Sequence, residues 1–579
     1  MRILFLTHAF NSLTQRLYVE LAAIGHEVSI EFDIDDRVTA EAVALWRPEL
    51  IVAPFLKRRI PESTWRAHRC LVVHPGIVGD RGSSALDWAI ADGEREWGVT
   101  VLQADAEMDA GDVWASVGFP MRNAAKGSLY RNEVTEAAVA AMRLALERIA
   151  TPGYRPQPLD PSRPDVRGRL RPSMRQADRA IDWQRDDTAT VLRRIRAADG
   201  VPGVHDAIRG LPVALFDAHA EDALRREHEA APAGALLAVR TGAVCRATID
   251  GAVWITHLKR LDGEEPAFKL PAARVLCGRI DDLAEAPLAP EARVAGSTWR
   301  DIHYEEEGGV GCLHFPFYNG AMGTDHCARL RAALARARAR PTRVIVLLGG
   351  PDFWSNGIHL NLIEAADQPA DESWRNIEAM NDLVREIVLT SGQLTVAALQ
   401  GNAGAGGVFL ALAADEVVAR DGVVLNPHYK SMGNLYGSEY WTYLLPRRVG
   451  ADRARAITAN RLPVGVAEAL RAGLVDDHFG ATPAAFVARV MERAHALAAD
   501  PGFGDRLAAK AARRAADEAI APLESYRAQE LDRMRLNFYG FDPSYHVARQ
   551  HFVAKRPHAR TPLHLARHRR LAAASPPGA

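Results

Sequence analysis

His74 ends the apolar run "CLVV" and opens into "PGIVGDRGSS", a loop of small residues. Open α/β sheets bind ligands beyond the carboxyl ends of their strands, so a histidine placed there can reach a substrate. Asp109 follows 35 positions later, in a turn after the strand "VTVLQAD". A His and an Asp on adjacent strand ends form a base and its orienting partner, suited to moving protons during attack on a carbonyl-like carbon. Taken alone, such a histidine is more often structural. Gln15 and Arg16 fall after the first strand, at the ligand-facing edge of the same sheet, and Arg131 stands near a helix start in "KGSLYRNEV".

A second set of residues lies between 343 and 440. "LLGGPDFWSNGIHL" and "ALQGNAGAGGVFLALAADEVV" are glycine-bearing junctions from strand to helix, about fifty residues apart, and neither has the Lys-Ser/Thr ending of a P-loop. Small residues at such junctions let backbone N–H groups point into a cavity near a helix amino terminus, which suits a developing negative charge. Lone glycine clusters more often mean tight strand-on-helix packing, but two in succession favour a site. Downstream, "NPHYKSMGNLYGSEYW" carries Tyr429 and, ten positions on, Glu439. A phenol and a carboxylate there can handle a proton. On spacing alone, an interfacial tyrosine and an exposed glutamate fit equally well.

These residues need elements to position them. A chain of 579 residues is too long for one core, and about three to four domains are expected. Residues 1–150 alternate buried β-rich runs ("RILFLTH", "EVSIEFD", "LIVAPFL", "CLVVHPG") with helical ones, the pattern of a mostly parallel, doubly wound sheet. "TPGYRPQPLDPSRPDVRGRLRP" then reads as a linker. Residues 174–275 carry short strands separated by turn residues, a small β-barrel-like pattern. After "DDLAEAPLAPEARVAG" a further α/β region follows, and from residue 520 onward the chain reads as helical. No acid occurs after Asp542, and seven Lys/Arg lie between Arg549 and Arg570. Such a basic run is usually a solvated face, the sharper alternative being an anion or phosphate contact.

Composition narrows the class. Hydrophobic residues make up 48% and charged residues 25%, with a formal net charge of −1, which argues against a chain built to coat nucleic acid or an anionic membrane. The start reads as a first strand and helix rather than a signal peptide. No stretch approaches the ~20 apolar residues of a membrane span. The five cysteines are scattered without a CxxC pair, which suits a reducing cytoplasm and argues against zinc ribbons. No metal site is expected.

Two long motifs, "HPGIVGDRGSSALDWAI" and "GVTVLQADAEMDAGDV", resemble the 10-formyltetrahydrofolate-dependent formyltransferases and hydrolases, and the likeness continues through the barrel segment to about residue 265. The resemblance implies that His74 and Asp109 are catalytic and that Gln15, Arg16 and Arg131 contact folate. The family carries an Asn two residues before its His, whose amide donates to the oxyanion; here that position is Val72. Ser83 or Ser84, in the same loop, can supply a hydroxyl instead. The glycine junctions resemble the enoyl-CoA hydratase/isomerase (crotonase) superfamily, whose oxyanion-hole amides correspond to Ile358, after Gly357, and Ala405, before Gly406. The two hydratase acids are replaced by Phe409 and by His428 after Pro427. Without those carboxylates water cannot be activated for addition to a double bond.

The pairing of both halves resembles the HypX/HoxX hydrogenase maturation family, and the match extends into the tail "NFYGFDPSYHVARQHFVAKRPHARTPLHLARHR". The fold class expected is α/β: a Rossmann-like formyltransferase domain over 1–150, a small OB-like β-barrel domain over 174–275, a crotonase-like α/β domain over 285–520, and a helical basic extension over 521–579. The resemblance implies production of the carbon monoxide ligand of a nickel–iron hydrogenase from 10-formyltetrahydrofolate. Formyl transfer to CoA would be followed by passage to the second pocket and decarbonylation there, with Tyr429 or Glu439 handling the proton. Expected partners are these small molecules and the hydrogenase large subunit or its maturation proteins, with no nucleic acid and no membrane. An alternative is a formyltransferase or hydrolase whose second half is a non-catalytic partner-binding module.

Overall fold

The buried apolar runs near the start become a six-stranded sheet in the computed structural model, which describes residues 1–263 and 267–574. Its strand order is Glu27–Phe32, Arg2–Thr7, Leu50–Ala53, Cys70–His74, Glu96–Gln103 and Val113–Pro120. The first four run parallel and the last two antiparallel to their neighbours. Parallel strands put their carboxyl ends on one edge, so the residues after Thr7, Ala53 and His74 share that edge. The helix Ser12–Ala23 begins there, with Asn11 Oδ1 accepting from the Thr14 N–H at 3.0 Å as its cap.

Residues 204–260 form an antiparallel sheet in the order Val204–Ile208, Leu211–Glu221, Ala252–Arg260, Ala243–Ala247, Leu236–Arg240, with Leu270–Pro271 paired to Ala252–Arg260. The helix Thr188–Ala198 turns Val191, Leu192 and Ile195 into the core of that sheet.

A third sheet has the order His303–Glu307, Val310–Phe315, Val344–Gly349, Leu394–Leu399, Glu416–Arg420, Asp477–Phe479, parallel after its first hairpin. Beside it, Phe353–Ser355, Asn402–Gly404, Val424–Asn426 and Val464–Gly465 make a small fourth sheet. Both glycine junctions leave from this pair of sheets.

Two compact units result. Among the described residues, one comprises those of 1–285, 296–298 and 557–574; the other comprises 286–295 and 299–556. The expected single extension over 521–579 is therefore corrected. Leu523, Met534, Phe538 and Tyr545 complete the core of the second unit. The stretch after 557 belongs instead to the first, where it runs along the outer strand Glu27–Phe32: the Ile30 N–H donates to the Leu565 carbonyl at 3.1 Å and the Phe32 N–H to Thr561 Oγ1 at 2.8 Å. Fully buried Glu31 accepts from His568 at 3.0 Å and from Arg569 at 2.7 Å. Burial opposes its charge, but the hydrogen bonds from His568, Thr561 and Arg569 hold its carboxyl below the usual glutamate range. An outer strand covered in this way presents no free edge. The tail's basic residues are likewise partly spent inside the fold, Arg549 on Glu364 and Arg569 on Glu31. Among the described residues, no helix is long and apolar enough to cross a membrane.

Candidate active sites

His74 is the last residue of its strand and is buried. Its Nδ1 lies 3.7 Å from Asp109 Oδ2, and its Nε2 lies 3.1 Å from Asp80 Oδ1. The expected His–Asp pair is thus brought together, and a second acid, absent from the sequence reading, holds the other ring nitrogen. With a carboxylate on each nitrogen, the imidazole is fixed in orientation from both sides. Asp109 adopts φ 57° and accepts a further hydrogen bond from the Gly82 N–H at 3.3 Å. Gly76 makes room for the arrangement: a Cβ there would stand 2.3 Å from His74 Nε2 and 2.9 Å from Asp80 Oδ1.

The proline-rich stretch after residue 150 is not a free linker. The Gly168 N–H donates to the Val78 carbonyl at 3.1 Å, the Arg81 N–H to the Arg169 carbonyl at 3.2 Å, and the Arg171 N–H to the Arg81 carbonyl at 3.0 Å. A Cβ on Gly168 would meet Asp80 N at 1.9 Å. The stretch therefore straps the 78–84 loop, and Asp80 is buried beneath it. Ser83 and Ser84 are drawn into the same strap: Ser83 Oγ lies 2.8 Å from Ser173 Oγ, and Ser84 Oγ accepts from the Met174 N–H at 3.0 Å. Val72 packs on the cluster containing Leu4, Leu6 and Ile51 and supplies no side-chain donor.

The proposed folate contacts separate. Gln15 stands in the first turn of its helix at the carboxyl edge, its amide donating to the Phe10 carbonyl at 2.9 Å. Arg131 belongs to a π-turn, Tyr130–Val134, whose Tyr130 ring meets Phe55 edge-on at the same edge. Such turns often mark functional positions. Arg16 is corrected. Its buried guanidinium is committed to Glu20 at 2.8 Å and to Glu136 at 3.0 Å, which ties two helices together and leaves it a structural role.

In the second unit, the two glycine junctions meet. Gly357, at φ 77°, places its missing Cβ 3.4 Å from Gly406 N, so the Ile358 junction and the Gly406 junction lie side by side. Gly406 opens the helix Gly406–Leu412, and first-turn N–H groups have no carbonyl partner within their own helix. The Ala405 N–H, by contrast, donates to the Asn426 carbonyl at 3.0 Å within the small sheet. The expected Ala405 N–H is thus already engaged, and it is the first-turn Gly406 N–H that stands beside the Gly357–Ile358 junction. Ala405 adopts φ 47°, ψ −128°, a conformation that costs an L-residue about 1–3 kcal/mol and that turns the chain into the helix.

Over this junction lies Glu439. A Cβ on Gly406 would meet the Glu439 carboxyl carbon at 2.7 Å. Glu439 is buried rather than exposed, and burial pushes its carboxyl up to about 7 against the hydrogen bonds it receives from Tyr429 and Ser438. Tyr429 Oη lies 2.5 Å from Glu439 Oε2 and 2.8 Å from the Ser438 carbonyl oxygen. Burial, reinforced by the Glu439 charge, drives the Tyr429 phenol well above its usual range, so it keeps its proton. Phe409 lies flat against the Tyr429 ring, 5.4 Å between centroids and 14° between planes. At the first position of the missing hydratase acids there is thus an apolar wall; at the second, His428 is buried.

Two residues that hold Glu439 were not legible beforehand. Asn381, mid-helix and fully buried, accepts from the Glu439 N–H at 2.7 Å, and Glu530 accepts from the Tyr440 N–H at 2.8 Å. A mid-helix Asn facing a core is a weak signal of such a role; Glu530 gives none in sequence.

Ligating atoms of His303, Glu305 and His314 lie within 4.8 Å of one another at the outer hairpin of the third sheet. Their two imidazoles are stacked, 4.0 Å between ring centroids and 11° between planes.

The formyl transferase family model matches residues 26–146, its C-terminal domain model 173–269, and the enoyl-CoA hydratase/isomerase model 312–559. Methionyl-tRNA formyltransferase of Variovorax paradoxus is 29% identical over 238 residues, 40% of this chain and 71% of that protein. The crystal structure of HypX from Aquifex aeolicus in complex with tetrahydrofolic acid superposes with a TM-score of 0.94 at 50% identity, covering 98% of this chain and 99% of the other. The hydrogenase maturation factor HoxX of Bradyrhizobium diazoefficiens is 57% identical over 570 residues, 98% of this chain and 97% of its own. With both halves matched in one relative along nearly their full length, the chain belongs to the HypX/HoxX family of hydrogenase maturation factors.

Proposed function

We propose that this chain generates carbon monoxide for a nickel–iron hydrogenase from the formyl group of 10-formyltetrahydrofolate, with CoA as the carrier between two reactions. In the first, the CoA sulfur bonds to the formyl carbon, the bond from that carbon to folate N10 breaks, and the thiol proton passes to N10. His74 is the group that moves this proton, oriented by Asp80 and Asp109. Gln15 and Arg131, at the same sheet edge, are the proposed folate contacts; the HypX crystal structure with tetrahydrofolic acid supports folate as the ligand of this half.

In the second, the N–H groups of Ile358 and Gly406 hold the thioester oxygen, Glu439 takes the formyl hydrogen as a proton, and the C–S bond breaks to give CO and thiolate. Glu439 then returns the proton to sulfur, so CoA is regenerated and the net reaction is formyl-folate to folate plus CO. The observation that carries this reading is the Glu439 carboxyl seated on Gly406 beside the Gly357–Ile358 junction, with Phe409 where a hydratase would hold an acid. A base over an oxyanion hole, walled from water by aromatic rings, suits elimination and not hydration. A reducing cytoplasm is the proposed compartment and the hydrogenase maturation machinery the proposed recipient. The test is CO release from formyl-labelled folate with and without CoA: labelled CO that requires CoA supports the reading, and CO released equally without it contradicts the carrier role.

A further inference from the structure

Glu530 lies in the helix Leu523–Tyr539, far in sequence from either glycine junction, and is fully buried. Its Oε2 accepts from the Tyr440 N–H at 2.8 Å; its Oε1 accepts from the Thr442 N–H at 2.8 Å and from Thr442 Oγ1 at 2.6 Å. These donors belong to the first turn of the helix Trp441–Val449, which has no side-chain cap of its own from Tyr440. A carboxylate from another helix thus does the capping, where the helix dipole favours negative charge. The residues it pins are unusual. Glu439 and Tyr440 are consecutive non-glycine residues at φ 65° and 58°, a left-handed turn that persists only when its surroundings enforce it. Asn381 holds the Glu439 N–H, and Glu530 holds the next N–H.

Every hydrogen bond described for Glu530 comes from a donor, so both of its carboxyl oxygens are used in holding the turn. The Tyr429 hydroxyl donates to Glu439 Oε2 at 2.5 Å and to the Ser438 carbonyl at 2.8 Å, which holds the carboxyl end of the same side chain. We propose that Glu530 is a positioning residue for the acyl site: by capping the helix Trp441–Val449 through the Tyr440 and Thr442 N–H groups, it fixes the left-handed turn that seats the Glu439 carboxyl on Gly406. This rests on the reading of Glu439 as the base.

Burial pushes both acids up, Glu439 to about 7 and Glu530 to about 8, and the Glu439 charge acts on Glu530 in the same direction, so the two titrate as a coupled pair. Other titratable groups around the pair are Tyr429, Tyr436 with Arg533, the Cys327 thiol, kept protonated mainly by burial, and Arg527, Glu524 and Arg385, which act on the Tyr440 phenol.

Glu530→Gln keeps one acceptor oxygen but turns an NH2 group toward a donor, and Glu530→Leu removes both acceptors. CO release is measured against pH with KM and kcat separated; kcat is expected to fall at least tenfold in Glu530→Leu and less in Glu530→Gln, with KM little changed in both. The acid limb in Glu530→Leu should move to lower pH, because a Glu439 carboxyl released from its buried seat titrates nearer the ordinary carboxylate range. The carboxylic-acid C=O band of Glu439 in infrared difference spectra of the full chain, identified by its loss in Glu439→Gln, should titrate lower in the same direction. Superimposable kcat values, pH profiles and infrared titrations for wild type and Glu530→Leu would overturn the proposal. If Glu439→Gln itself releases CO normally, the function proposed for Glu439 fails, while the infrared titration still decides the role of Glu530.

Discussion

The Glu439 carboxyl group sits directly on Gly406, close enough that a single added methyl would meet its carboxyl carbon at 2.7 Å. The helix amino terminus that is to hold an oxyanion and the acid that is to take a proton therefore share one surface. Gly406→Ala should displace Glu439 and block access to the Gly406 N–H together. CO release is expected to fall by about 100-fold or more, the scale of losing an oxyanion donor, while formyl-folate is still consumed in a single turnover. Thermal unfolding of the variant beside wild type checks that the fold survives.

With Glu439 as the proposed base, its ionisation is expected to set the pH dependence of CO release. The base form is needed, and burial places its carboxyl near 7, so the rate should rise with pH and level off above about 7. Below that limb it should fall about tenfold per pH unit. A stopped assay for CO between pH 5.5 and 8.5 reads this directly; a flat profile would remove Glu439 as the titrating base.

The same burial has a cost in stability. The folded-state value of Glu439, about 7, lies above the unfolded value of 4.5. Its contribution is therefore fully present below about 4.5 and is lost as pH rises through about 7. An uncharged substitute escapes this loss, which approaches roughly 3 kcal/mol for a shift of that size. Glu439→Gln should unfold at higher temperature than wild type at pH 8, with the difference shrinking at pH 5.5. Calorimetry at the two pH values measures it.

In the first unit, His74→Ala should abolish loss of the formyl group from 10-formyltetrahydrofolate, and Asp80→Asn should approach the same loss. Asp80 Oδ1 holds Nε2 at 3.1 Å, a closer contact than Asp109 makes to Nδ1. Steady-state kinetics with folate binding measured separately will show kcat reduced about 100-fold or more in Asp80→Asn with folate affinity kept. Activity within about threefold of wild type would assign Asp80 a structural role only.

Removing the chain after Arg556 should uncover the outer strand Glu27–Phe32, whose Ile30 and Phe32 N–H groups lose their acceptors. Fully buried Glu31 would also lose His568 and Arg569. Self-association measured by light scattering is expected in the truncated chain and, more weakly, in Glu31→Gln.

The repeating features of the fold were legible because they are periodic: buried strand runs, helices between them, and glycine junctions at strand ends all leave local signals. His74, Asp109, Tyr429 and Glu439 were legible as residue types at the ends of such elements, and the structure brings each pair together. What escaped was non-local. Asp80 stood in plain view six residues after His74, yet only the strap over residues 78–84 buries it against the ring. Ala405 and Gly406 differ by one position, and only the strand pairing of Ala405 with Asn426 shows which N–H is taken. Arg16 read as a ligand contact because nothing local announces Glu136, 120 residues away. Glu530 acts through a turn 90 residues upstream, a relation that no spacing rule contains.

The central claim is that Glu439 breaks down a formyl thioester made elsewhere in the chain. Its most direct test is a single turnover with carbon-13-labelled 10-formyltetrahydrofolate and CoA, quenched and analysed for labelled CO, formyl-CoA and formate, in wild type and in Glu439→Gln. Wild type should yield labelled CO. Glu439→Gln should consume the same formyl-folate and leave the label as formyl-CoA or formate, with CO reduced about 100-fold or more. Equal CO from both proteins would contradict the account.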